Sequence, residues 1–123
     1  MKRVKTADLT GPALDWVVAK ANGITPIGIK KKHSDGYFLY PHKGATIPLE
    51  YSSKWAQGGP LVDVMIETHG LVFACRGKTV VCSLPFSIEH QEWFGATPLI
   101  AAMRCFVTKA LGAEVDVPDE LLS

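Results

Sequence analysis

The sequence predicts an α+β domain, a four-stranded antiparallel sheet covered by three helices in the order α-ββ-α-ββ-α. Two observations predict it. Three segments open with a proline in or near the first helical turn and continue with apolar residues at i, i+3 and i+4, namely 10–22, 58–69 and 97–112. Between them lie two pairs of short, strand-like apolar runs, each pair joined by a few turn-forming residues. Helix stripes and strand faces of this kind must cover one another, and one mixed core is the economical solution.

The first helix starts at Thr10, with Pro12 in its opening turn, where a missing N–H costs nothing. Leu14, Val17, Val18 and Ala21 share one face. Asn22 and Gly23 supply the stop, since both tolerate the left-handed conformation. Ile27 and Ile29 then alternate with Gly28 and Lys30, a period of two. Ser34-Asp35-Gly36 is a turn signal, and Tyr37 to Tyr40 returns as a second strand. Residues 41–48 read as a loop.

Next comes Tyr51-Ser-Ser-Lys-Trp-Ala-Gln-Gly-Gly-Pro-Leu61. Ser52 or Ser53 can cap a short turn through Trp55, and Gly58-Gly59-Pro60 can restart a helix. Leu61, Val62, Met65 and Ile66 then fall on one face, with Asp63 and Glu67 on the other. His69-Gly70 ends it. The runs 71–75 and 79–83 are joined by Arg76-Gly77-Lys78, a connection short enough to demand antiparallel pairing. Residues 85–95 read as a loop carrying His90, Trp93 and Phe94. In the last helix Thr97 is the cap and Pro98 the first residue. Leu99, Met103, Phe106 and Ala110 form one row, and Ile100, Val107 and Leu111 a second, wide enough to lie on a sheet. Gly112 is the stop. Residues 113–123 read as a loosely held acidic tail. The whole of 1–123 is expected to be one domain.

Composition narrows the function. Thirteen Lys and Arg against twelve Asp and Glu give a formal charge of +1, so no strong general affinity for nucleic acid or anionic lipid is expected. No segment is apolar enough to span a bilayer, and the charged N-terminus lacks the core of a signal peptide. Cys75, Cys82 and Cys105 sit among apolar residues and read as reduced core thiols in a cytoplasmic protein.

The sequence contains no recognisable reaction centre. His33, His42, His69 and His90 do not pair with His or Cys at a metal-site spacing. No nucleophile elbow or phosphate loop occurs, and Gly58-Gly59-Pro60 reads as a helix restart in preference to an anion cradle. Cys105, mid-helix among apolar neighbours, reads as packing and not as an activated thiol. No catalytic residue, metal ligand or cofactor is expected. The basic run Lys30, Lys31, Lys32, with Tyr37 and Tyr40 on the returning strand, reads first as a solvated hairpin tip; its alternative is a contact for single-stranded nucleic acid. Trp55 and Trp93 are either lids on the core or anchors at an interface.

Three separated motifs, within 9–21, 51–62 and 96–121, resemble the phage NinX-like family, and their order and spacing cover most of the chain. That resemblance implies a small accessory protein of phage or prophage, made in the bacterial cytoplasm. It implies no catalytic residue. The expected activity is binding of a host or phage protein through a surface that gathers Tyr51, Trp55, Gln57 and Arg104. A nucleic-acid factor linked to recombination, and an enzyme whose site converges only in three dimensions, are the alternatives. The apolar content exceeds what one thin sandwich covers, so a two-fold homodimer is expected, with Trp55 and Trp93 to be tested at its interface.

Overall fold

Local stereochemistry produces the helices where the sequence places them. The computed structural model describes residues 1–30, 37–85 and 91–122. Helix α1 spans Gly11–Ala21, α2 spans Trp55–His69 and α3 spans Pro98–Leu111. The Thr97 hydroxyl accepts the Ile100 N–H at 3.1 Å, capping α3. Thr10 holds the same position on α1, but its side chain makes no capping bond. Gly70 closes α2 with φ +67°, a left-handed turn that glycine adopts without strain. One expectation changes here. Residues 55–69 form a single helix with Pro60 inside it, not a turn followed by a restart. Pro60 has no N–H to offer the Ala56 carbonyl, and its ring is exposed, so the helix absorbs the interruption near its start.

Among the described residues the strands form three small antiparallel sheets, not one of four strands. Strands β2 (Ile27–Lys30) and β3 (Tyr37–Tyr40) make the first expected hairpin. Strands β4 (Val72–Arg76) and β5 (Thr79–Ser83) make the second. The two hairpins belong to separate sheets. The second is completed by β6 (Glu92–Gly95), from a segment read as loop. Trp93 and Gly95 face inward and Glu92 and Phe94 outward, an alternation too short to stand out from sequence. The third sheet joins the ends of the chain. Strand β1 (Lys2–Lys5) pairs with β7 (Glu114–Val117), where a loose tail was expected. Val115 and Val117 bury their side chains, while Arg3 faces Glu114 and Asp116 at 3.5 Å.

Helix α3 is the hub of the fold. It packs against β5 and β6 and also against α1 and α2. Ala101, Ala102, Met103, Cys105 and Val107 are buried around much of its circumference. Small alanines let several neighbours approach one helix. Phe106, expected at the centre of the apolar row, is only half-buried, and Ala110 and Leu111 are exposed. Gly95 lets β6 approach α3 closely, since a Cβ there would lie 2.7 Å from the Ala101 nitrogen. Cys82 and Cys105 are fully buried, but Cys75 is exposed on β4, which corrects its assignment to the core. Among the described residues no helix is long and apolar enough to cross a membrane.

Candidate functional site

Helix α1 is buried without interruption from Ala13 to Ala19, and one residue in that stretch is charged. Asp15 lies between Leu14 and Trp16 and is only 5% exposed. A carboxylate there must find donors, because leaving it unpartnered costs several kcal/mol, on the order of 2–7 for a polar group. Ser52 supplies them. Its backbone N–H donates to Asp15 Oδ1 at 2.8 Å, and its side chain also bonds the carboxylate. Burial nevertheless dominates and raises the Asp15 pKa to about 6; the Ser52 bonds oppose the shift and the nearby Glu50 charge adds to it.

Asp15 opens onto a cleft of about 280 Å³ between the start of α1, strand β3 and the 48–53 segment. Pro12, Phe38, Leu39, Pro48 and Leu49 form apolar walls, and Asp15, Glu50, Ser52 and Ser53 supply the polar groups. The cleft is held in shape from α2. Gln57 folds back, accepting the Glu50 N–H at 2.7 Å and donating to the Pro48 carbonyl at 2.8 Å. None of the ion pairs among the described residues includes Asp15 or Glu50.

The four residues expected to share a surface have different placements. Tyr51 is buried; its hydroxyl bonds the Asn22 side chain, and burial raises its pKa. Gln57 is occupied as described. Arg104 donates from Nε to the Leu9 carbonyl at 2.9 Å and from Nη1 to the Phe94 carbonyl at 2.6 Å, tying the entry of α1 to β6. Its partial burial lowers its pKa, and Asp8 acts in the opposite sense. Trp55 alone projects, 54% exposed, and its ring passes over Gly59, where a Cβ would lie 3.5 Å from Cε3. Trp93 is 6% exposed and belongs to the core.

For the nucleic-acid alternative, Lys31 and Lys32 lie outside the described residues. Lys30 and Tyr37 are paired in register across β2 and β3, and Tyr40, half-buried, pairs with Ile27. His33 and His90 also lie outside the described residues. Among the described residues no three His, Cys, Asp or Glu side chains gather as metal ligands would. The Cys105 thiol is pushed well above its ordinary range by its bond with Cys82 and by burial, the reverse of an activated nucleophile.

Sequence reasoning missed Asp15. The signal was present, since an acidic residue interrupts an otherwise apolar run, but its partner lies 37 residues away.

The three motif segments meet through these contacts. Asp15 reaches Ser52, Gly58 touches Leu99, and Arg104 reaches Leu9. They hold the fold together as much as they furnish a surface. No curated protein matches the chain. The family described as bacteriophage P22 NinX matches residues 5–110, and the chain belongs to that family.

Proposed function

We propose that this protein is a phage or prophage accessory factor that acts in the bacterial cytoplasm by binding a protein partner, without catalysing a reaction. The observation that carries this reading is Trp55. A large aromatic ring stands more than half exposed at the start of α2, beside a segment clamped by Ser52–Asp15 and by Gln57. Tryptophan on a rigid support loses little freedom on association and dominates many interfaces. The near-zero net charge favours a protein over nucleic acid. The cleft next to it carries carboxylates and hydroxyls, and no His, Cys or Lys lines it among the described residues. Its one hydroxyl–carboxylate contact, Ser52 with Asp15, therefore has no histidine or lysine in the lining to take up and pass on the proton, as activated serine nucleophiles ordinarily require.

The test is affinity capture of the tagged protein from a prophage-induced host, with the Trp55→Ala variant alongside. A specific protein retained by the wild type and lost by the variant is the expected result. Recovery of nucleic acid alone, or of the same proteins with both, overturns the reading.

A further inference from the structure

We infer that the cleft at Asp15 receives one basic side chain of the partner, a lysine or arginine, with its aliphatic stem along Pro12, Leu39 and Pro48 and its cationic head between Asp15 and Glu50. The inference rests on the protein-binding reading and specifies what that partner presents.

Charge selects the occupant. Two carboxylates share the cleft, and neither has a cationic counterpart among the described residues. An anionic ligand would meet repulsion from both. A purely apolar ligand would seal them from water without compensation, which is unfavourable. The walls are apolar, so a small, fully hydrated cation would leave most of the lining unused. Lysine and arginine combine an apolar stem with a charged head, the arrangement that matches this lining. Size agrees, because about 280 Å³ falls just below the usual range of small-molecule pockets, roughly 300–1,000 Å³. The cleft is also preorganised, since Gln57 holds the Pro48 carbonyl and the Glu50 N–H, and Asp15 holds Ser52.

Binding should release a proton. Glu50 is the titratable group that acts on Asp15 from the packed segment, and Asp15 in turn acts on Tyr51 there. Neither is cationic. Free Asp15 titrates near 6, so at slightly acidic pH it is largely neutral. A bound cation restores its charge, and affinity therefore rises about tenfold between pH ~5 and ~7.

The experiment titrates the full-length, isotope-labelled protein with Nα-acetyl-lysine N-methylamide and its arginine counterpart. The norleucine analogue, which has the stem without the charge, is the control. Amide resonances of Leu49, Ser52 and Ser53 are followed across pH. The expected result is saturable shifts with the two cationic probes and none with norleucine. Glu50→Gln should weaken binding about tenfold, as loss of a partly buried ion-pair partner does. That variant keeps the fold, because Glu50 contacts Gln57 through its backbone N–H. Asp15→Asn should remove the pH dependence. Equal shifts with norleucine, no shifts with either cationic probe at millimolar concentration, or pH-independent binding to the wild type would each overturn the assignment. Capture from the host separates the two readings. A partner kept by Glu50→Gln but lost by Trp55→Ala leaves protein binding standing and removes the cleft from it. Probes that bind the cleft while nothing is captured do the reverse.

Discussion

Asp15 and Ser52, 37 residues apart, are joined by a 2.8 Å hydrogen bond in the buried interior. The bond ties the first helix to the segment that leads into the second. It also traps an ionisable group where water is scarce, and that has a measurable consequence for stability.

Asp15 titrates near 6 in the folded chain against 3.8 for the free side chain. The folded state therefore holds its proton more tightly. Stability from this group is complete below about pH 4 and is lost as pH rises through about 6, a change of roughly 2–3 kcal/mol. Asn at this position keeps an acceptor for the Ser52 N–H and cannot ionise. Urea midpoints at about pH 4.5 and about pH 7 should diverge between wild type and Asp15→Asn, with the variant relatively more stable at the higher pH. Parallel profiles would show that the carboxylate is solvated.

The two tryptophans should separate cleanly. Trp93→Ala empties a core position and should cost about 3–5 kcal/mol. Trp55→Ala should change stability by less than about 1 kcal/mol, because the ring is largely outside. Light scattering on the wild type and Trp55→Ala also tests the expected homodimer. A wild type that is strictly monomeric at micromolar concentration removes Trp55 from any self-interface.

Thiol labelling under native conditions should find one fast cysteine, Cys75, and two protected ones. Cys82 and Cys105 touch one another in the core, and both should react only after unfolding. Rapid labelling of Cys105 in the folded chain would contradict its burial.

Gly58 marks the contact between α2 and α3. A Cβ there would collide with the Tyr51 carbonyl oxygen and lie 2.7 Å from Leu99 Cδ1. Gly58→Ala should cost about 1–3 kcal/mol by overpacking, although alanine is the better helix former. An unchanged or raised melting temperature would mean that the helices separate easily at this point.

Arg104 should tolerate lysine poorly. A single ammonium cannot reproduce the two directed bonds to Leu9 and Phe94. Arg104→Lys should lose about 1–3 kcal/mol, measured by chemical denaturation, through the carbonyl left unpaired. Equal stability would reduce those bonds to incidental surface contacts.

The sequence by itself determined the three helices, the two hairpins and the family. Proline in the first turn, an apolar stripe and a glycine stop act over a few residues, so Pro98, Leu99, Met103 and Gly112 announce α3 without help from the rest of the chain. Turn chemistry at Arg76-Gly77-Lys78 likewise compels β4 and β5 to pair. Tertiary structure alone decided how these pieces combine. Strand β1 has one apolar residue, Val4, and becomes a strand because β7 lies opposite it. Strand β6 exists because β5 offers an edge and α3 covers Trp93 and Gly95. The same holds for the candidate site. Nothing near Arg104 in sequence says that its guanidinium turns to Leu9 and Phe94, and nothing near Asp15 says that Ser52 will satisfy it. Backbone periodicity is a local property, whereas the partner of a buried polar group is chosen by whichever distant segment the packed core brings within hydrogen-bond reach.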